Sequence, residues 1–470
     1  LKPFAHQSDV LERSQDLPSF ALFWEQGTGK TKPTLDNAVH LAKSGKIDAL
    51  LVLAPNEVPR NWVDDEIPKH LGNITAATYV SAKANTIKHR KMLYEAMNAP
   101  FCVVAMSYDA FMTEKGTKFV RDFFKKRKVM MVCDESHNIK TPTAKRTKRV
   151  VSAGKHVAYR RILTGTPIAN NPFDIYTQMR FLEPNFWKDR GFNTYSEFKQ
   201  YFGIWRKGFN SQQGRDYDYV VGFKNLDELH DMLKPLSSRV TKDEVLDLPP
   251  KLYSKRYFEL STEQKRAYKE LRDEFITFLS SGDLVTAPLA IVRLLRLHQV
   301  TCNYLPAEEG EPLLPLSPIN PRLECLRLLL EEVSHQAIIW ARFTEDINQI
   351  MALLKDKAVR YDGPTSSDDR AKAKSAFQSG DVQFFVGNPA AAGTGLTLHA
   401  ARTVIYYNNS FRLVDRLQSE DRAHRIGQEH PVNYVDIVAP NTVDTYILRA
   451  LRNKVSIAAT IQGDELKEWV

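Results

Sequence analysis

Short, unbroken apolar runs, each followed by a polar or helix-compatible stretch, narrow the fold more than any other feature of this chain. In the first half they are Phe20–Trp24, Ala49–Ala54, Phe101–Met106, Val129–Cys133 and Ile162–Leu163. In the second half they are Ala337–Trp340, Phe384–Val386, Val404–Tyr407 and Val432–Val438. A strand with one wet face alternates apolar and polar residues, whereas a strand covered on both faces does not. The runs therefore predict parallel sheets covered by helices, and two sets of them predict two α/β lobes.

The stretch between the sets has a different texture. Residues 185–235 are rich in aromatics and charge, with Gly, Asn and Gln clustered around Gly208–Gly214, and are expected to be a helical insertion rather than sheet. Ser261 and Gln264 form a capping box that predicts a helix over Thr262–Leu279, and a second helix is expected over Leu289–Val300. Pro306–Pro321 carries five prolines and reads as a linker. The expected division is a first lobe over 1–250, a helical protrusion and linker over 251–320, and a second lobe over 321–470.

Composition excludes some classes. With 43% apolar and 26% charged residues the chain is neither disordered nor fibrous. No apolar run reaches the roughly 18 residues that span a bilayer, so no membrane partner is expected. The four cysteines (Cys102, Cys133, Cys302, Cys325) are scattered, which fits a reducing cytoplasmic or nuclear compartment rather than secretion. A net charge of +9 is compatible with a polyanionic partner but is shared by many proteins that have none. The chain starts at Leu1 rather than Met, so a trimmed N-terminus is expected.

Three local patterns suggest chemistry. Gly27-Thr28-Gly29-Lys30-Thr31 follows an apolar run and precedes a helical stretch. Glycines let a backbone curl its N–H groups around phosphate, a lysine reaches the β/γ-phosphates, and a hydroxyl holds Mg²⁺. The alternative is a glycine turn with a surface lysine. Asp134-Glu135-Ser136-His137 closes the run Val129–Cys133. Either this is a solvated acidic turn, or Asp134 holds Mg²⁺ while Glu135 polarises the attacking water. Arg422 and Arg425 are three apart and would share a helix face, as a mixed-charge surface or as a pair reaching a γ-phosphate.

In their order along the chain these patterns resemble Swi/Snf-type DNA-dependent ATPases of helicase superfamily two. Asp421-Arg-Ala-His-Arg-Ile-Gly-Gln428 is similar to the last helicase motif of that family. Leu163-Thr-Gly-Thr-Pro-Ile-Ala-Asn-Asn171 and Phe181-Leu-Glu-Pro184 resemble its third. Leu248-Pro-Pro-Lys251, preceded by Arg239 and Lys242, resembles the segment that separates it from ordinary helicases. Phe343-Thr344, Tyr361-Asp-Gly363, Gly393-Thr-Gly-Leu396 and Thr442-Val443 are similar to stations of its second lobe.

The resemblance implies two RecA-like lobes, ATP and Mg²⁺ as cofactors, and double-stranded DNA, with DNA-bound proteins, as partners. It implies a motor that translocates on duplex DNA without separating strands. A strand-separating helicase, or a nucleotide-gated DNA clamp with little turnover, are the alternatives. By the same resemblance Gln7 would read adenine, and Gly27, Thr28, Gly29, Lys30, Thr31, Gly395 and Gln418 would contact nucleotide. Thr31 and Asp134 would hold the metal. Asp134, Glu135, Lys30, Arg422 and Arg425 would be catalytic, and His137, Thr164 and Thr166 would couple hydrolysis to movement. Pro55, Trp62, Phe343 and Thr394 would touch DNA. The first motif departs from the usual Asp-Glu-Met-Gly-Leu-Gly-Lys-Thr, reading Trp24-Glu-Gln-Gly-Thr-Gly-Lys-Thr31, but it keeps the glycines, lysine and threonine. Where the family carries Asp-Trp-Asn-Pro, this chain has Asn409-Ser-Phe-Arg412. Short insertions and no visible accessory module lead us to expect a compact motor.

Overall fold

A computed structural model describes residues 2–56, 58–210, 215–280, 287–306, 312–391 and 396–464. In chain order its strands are β1 (Ser19–Trp24), β2 (Ala49–Ala54), β3 (Thr75–Tyr79), β4 (Cys102–Ser107), β5 (Val129–Asp134) and β6 (Tyr159–Leu163). There follow β7 (Gly203–Asn210), β8 (Arg215–Phe223), β9 (Ser237–Val240), β10 (Lys251–Tyr257), β11 (Tyr304–Pro306) and β12 (Leu313–Pro315). The last five are β13 (Ala337–Trp340), β14 (Ala358–Tyr361), β15 (Phe384–Gly387), β16 (Thr403–Tyr406) and β17 (Val432–Val438). Among the described residues no helix is long and apolar enough to cross a membrane.

The described residues divide into two compact units, 2–202 with Lys224–Asp247 and 457–464, and Gly203–Phe223 with Leu248–Ser456. The first unit holds a seven-stranded sheet in the order β3-β4-β2-β5-β6-β1-β9, parallel throughout. Side chains on one face, including Leu50, Val52, Val103, Ala105, Met130 and Val132, form a core with Leu35, Ala38 and Leu41 of the helix Thr31–Lys43. Their neighbours Leu51, Leu53, Val104, Met131 and Cys133 point to the other face and are buried as well. Each such Leu, Ile or Val contributes roughly 1.5–3 kcal/mol by leaving water, so a sheet with two dry faces needs helices on both.

The second unit repeats the plan with a six-stranded parallel sheet, β10-β17-β16-β13-β15-β14. Ile339, Val386, Ile405 and Ile437 pack on one face. Ile338, Trp340, Phe385, Val404 and Tyr434 pack on the other. Both units are thus parallel sheets covered by helices, as the apolar runs predict, and have the layers of the RecA-like lobes that the resemblance implies.

Three expectations need correction. The stretch 185–235 is not purely helical: β7 and β8 form an antiparallel hairpin in its middle, with residues 211–214 outside the described residues. The segment 251–320 does not open as a helical protrusion, because all seven residues of β10 pair with β17 and so belong to the second sheet. Its helices do form, over Thr262–Ser280 and Ala287–Thr301. The first begins at the reciprocal bonds of Ser261 and Gln264, at 2.9 and 3.2 Å. The proline-rich linker carries a small two-stranded sheet, β11 with β12. Finally, the last described residues do not belong with the second unit, since 457–464 cluster with the first.

Candidate nucleotide site

Because every strand of the first sheet is parallel, the loops leaving their C-terminal ends share one edge, where open α/β sheets bind ligands. In the order β5-β6-β1, the acidic turn, the Thr164 loop and the glycine loop emerge side by side.

The glycine loop leaves β1 and runs straight into the helix Thr31–Lys43. Gly27 and Gly29 have φ of 85° and 82°, left-handed values that a side chain would strain. Lys30 Nζ donates to the main-chain oxygens of Trp24 at 2.8 Å and Glu25 at 3.0 Å. Gln7 lies beneath the loop and is buried. Its Nε2 donates to Gly29 O at 3.0 Å and its Oε1 accepts from Phe4 N at 2.9 Å. Both ends of the amide are engaged by the chain, and Gln7 braces the loop.

The acidic turn leaves β5 with Glu135 itself in the left-handed region, at φ 49° and ψ 56°. A non-glycine residue held there carries strain that functional sites often store. Glu135 is buried and held by three partners. Gln26 Nε2 donates to Oε1 at 3.0 Å, Thr164 Oγ1 donates to Oε2 at 3.2 Å, and His137 Nδ1 lies 3.4 Å from Oε2. His137 Nδ1 is also 3.2 Å from Thr164 Oγ1 and 3.4 Å from Thr166 Oγ1. The Thr166 N–H donates to Thr164 Oγ1 at 3.1 Å. Glu135, His137, Thr164 and Thr166 thus meet in one network.

The two carboxylates are driven apart electrostatically. Burial tends to raise the pKa of Glu135, but the hydrogen bond and charge of His137, with Lys30 and Gln26, outweigh it and hold the group down. Burial and then the Glu135 charge push Asp134 up. Two acids side by side in a dry site cannot both ionise freely, and the hydrogen bonds decide which does.

Asp134 has an unexpected partner. Trp62, expected to touch DNA, is only 1% exposed, packs in the core of the first unit, and donates from Nε1 to Asp134 Oδ2 at 2.9 Å. Its ring therefore offers no surface to a duplex. Gln26 and Gln178 were also not singled out in the sequence. Ser136 Oγ donates to Gln178 Oε1 at 2.7 Å, and Gln178 Nε2 donates to Pro167 O at 2.7 Å, which ties the acidic turn to the loop after β6. Gln26 lies inside the glycine loop, where its position was the available signal; Gln178 carried none.

In the second unit Arg422 and Arg425 come together, though not on a helix. The helix Leu413–Glu420, which carries Gln418, ends one residue before Asp421. Beyond it the chain runs on in tighter turns, with Arg422 N donating to Ser419 O and Ala423 N to Glu420 O, each at 3.3 Å, and Arg422 O is taken by Leu398 N at 2.9 Å. The turn still brings both guanidinium groups to one acceptor, Leu396 O, at 3.2 Å from Arg422 Nη1 and 3.4 Å from Arg425 Nη1. Thr394 and Gly395, just before Leu396, lie outside the described residues. Phe343 is half-buried with its ring 5.2 Å from His298 and 6.2 Å from Tyr304, and Pro55 is half-buried at the end of β2.

The SNF2-related domain family matches residues 10–304 and the helicase conserved C-terminal domain family matches residues 321–427. The chain is 27% identical over 456 residues to the chromodomain-helicase-DNA-binding protein 1-like of Danio rerio, covering 93% of this chain and 41% of that protein. It is 26% identical over 459 residues to the transcription regulatory protein SNF2 of Saccharomyces cerevisiae, covering 92% of this chain and 26% of that protein. It therefore spans less than half the length of these curated relatives. A solved SWI2/SNF2 ATPase core of Sulfolobus solfataricus in complex with dsDNA aligns with 99% of this chain and 95% of that one, at 22% identity and a TM-score of 0.41.

Proposed function

The chain belongs to the SNF2-related domain family, and from that premise we propose that it is a DNA-dependent ATPase that translocates along double-stranded DNA without separating the strands. The observation that carries the proposal is the convergence of Lys30, Asp134, Glu135, His137 and Thr164 on one edge of one parallel sheet.

The residues fit a magnesium nucleotide. The Thr31 hydroxyl and the Asp134 carboxylate are hard oxygen donors, and Mg²⁺ typically takes one or two protein ligands and leaves the rest to phosphate and water. Bound Mg²⁺ would neutralise charge on the β- and γ-phosphates. The backbone N–H groups of the Gly27–Lys30 loop would cradle the phosphates. Lys30 would exchange its bonds to Trp24 O and Glu25 O for phosphate oxygens. Glu135, kept ionised by its neighbours, would orient and polarise the attacking water, with Thr164 and His137 fixing its carboxylate. Arg422 and Arg425 would meet the charge that develops on the transferred phosphoryl group.

Turnover measured with duplex DNA, single-stranded DNA, RNA and no nucleic acid at matched salt, beside a strand-displacement assay, tests the proposal. Salt must match because phosphate contacts make affinity fall steeply as ions are added. Stimulation by duplex without strand displacement is expected. Equal turnover with and without DNA would overturn it.

One observation favours strand separation as a second reading. The β7–β8 hairpin exposes Phe209, Tyr217 and Tyr219, and an aromatic ribbon is what a separating wedge needs. Under that reading strands are displaced, and Tyr217→Ala with Tyr219→Ala abolishes displacement while leaving hydrolysis intact.

A further inference from the structure

The indole of Trp62 calls for an explanation that packing alone does not supply. Buried tryptophans usually find an acceptor for their N–H, and others here find neutral ones. Trp24 donates to Ser238 Oγ at 3.0 Å, and Trp187 donates to Tyr176 O at 2.7 Å. Trp62 instead donates to the carboxylate of Asp134.

The backbone is irregular at the place that makes this contact. After β2 the chain forms a helical turn, Val58–Asn61, and continues as a helix from Ile67 to Leu71. Between them Trp62–Glu66 is a π-helical turn, closed by a bond from Ile67 N to Trp62 O. Such turns carry one residue more than an α-turn and recur at functional sites. The register of β2 on β5 pairs Leu53 with Cys133, so the segment leaving β2 starts beside Asp134.

We infer that Trp62 is a positioning residue that clamps the metal-holding carboxylate of Asp134; the inference rests on reading Asp134 as the metal ligand. Asp134 Oδ1 accepts from the Glu135 N–H at 2.9 Å and Oδ2 accepts from Trp62 Nε1 at 2.9 Å. One N–H on each oxygen fixes the rotation of the carboxylate and leaves each oxygen a further lone pair for a cation. Partners of this kind orient metal ligands, and losing one typically costs about 10–100-fold in metal affinity.

The test uses the full chain with Mn²⁺ as probe. Mn²⁺ affinity is measured by electron paramagnetic resonance in the presence of ADP, and ADP affinity is measured separately in EDTA. The parent is compared with Trp62→Phe and Asp134→Asn. Trp62→Phe should weaken Mn²⁺ binding about tenfold or more while leaving metal-free ADP affinity unchanged, a split that a general packing defect would not produce. If Asp134→Asn weakens Mn²⁺ binding and Trp62→Phe does not, the role of Trp62 is overturned. If Asp134→Asn also leaves Mn²⁺ binding unchanged, the reading of Asp134 falls and the inference with it. Should Trp62→Phe fail to fold, the indole N–H resonance of Trp62 in ¹⁵N-labelled parent protein gives the answer. It should move in Asp134→Asn and on adding Mg²⁺ with ADP, and a resonance indifferent to both overturns the inference.

Discussion

The ammonium of Lys30 donates to the main-chain oxygen of Trp24 at 2.8 Å, six residues back along its own loop. A lysine bonded to its own loop has little desolvation left to undergo when a phosphate arrives, because it trades carbonyl partners for phosphate oxygens. Lys30 and Glu135 should therefore fail in different ways when replaced.

Lys30→Ala removes a phosphate contact, so nucleotide affinity should fall together with hydrolysis. Glu135→Gln keeps the shape of the side chain and its bond from Gln26 but removes the charge that acts on water. Hydrolysis should fall by about 10²–10⁴, the usual range for a lost general base, while nucleotide affinity stays within a few-fold. Equilibrium nucleotide binding and steady-state turnover, measured on both variants, check this. Equal loss of affinity in the two would remove the division of labour.

Gly29→Ala tests the loop itself. At φ 82° a side chain costs about 1–2 kcal/mol, and a Cβ there would also collide with Gln7 Nε2. Nucleotide affinity should drop by roughly tenfold or more, since about 1.4 kcal/mol is one decade. Adding Gln7→Ala relieves the collision but not the backbone strain, so the double variant should recover only part of the loss. Full recovery, read by the same binding measurement, would show that strain plays no part.

The Arg422 and Arg425 guanidinium groups share the Leu396 carbonyl. Replacing either with Ala should cost about 10³–10⁵ in turnover if it meets charge on the transferred phosphoryl group. Lysine should not restore it, because a point ammonium lacks the planar fork of donors. Nucleotide affinity should survive in each variant. Turnover within about tenfold of the parent in both would exclude this role.

What the sequence revealed and what it hid follow one physical rule. The apolar runs mark nine strands, and all nine lie inside a sheet; β3 and β9 at the edges of the first sheet, and β10 and β14 at the edges of the second, leave no such mark. An edge strand has one solvated flank and keeps polar residues, as in Lys251-Leu-Tyr-Ser-Lys-Arg-Tyr257, so the test of two dry faces passes over it. The glycine loop and the acidic turn were legible because their chemistry demands particular residue types at fixed spacing. Trp62 was misassigned because an aromatic in a helical stretch reads alike whether it faces water or a buried carboxylate. The π-turn that directs it inward has no sequence pattern of its own. Arg422 and Arg425 have helical spacing, yet the chain leaves the helix in tighter turns and Leu398 takes the Arg422 carbonyl.

Glu420 gives a prediction in pH. It is fully buried, accepting from Arg416 Nε at 2.9 Å, Tyr253 OH at 2.8 Å and Lys251 Nζ at 3.1 Å, and so joins the edge strand β10 to the helix Leu413–Glu420. Burial tends to raise its pKa, but the charges of Lys251 and Arg416 and the hydrogen bonds of Arg416 and Tyr253 hold it down at about 2, against an ordinary 4.5. A carboxyl whose folded pKa is depressed contributes stability that is present above its unfolded pKa and lost as pH falls toward the folded value. At pH 7 the contribution is about 3 kcal/mol, at 1.36 kcal/mol per unit. It should shrink to less than half of that by about pH 3. Glu420→Gln lacks the ionisation, while Arg416 keeps its bond to Asp436 Oδ1 at 2.6 Å. Urea unfolding, followed by hydrogen exchange of the β10 and β17 amides, should show the parent more stable than Glu420→Gln at pH 7 by about 3 kcal/mol, with the gap narrowing to less than half of that between pH 4.5 and 3. A gap that stays constant over that interval would mean that Glu420 acts through shape and hydrogen bonding, not through its charge.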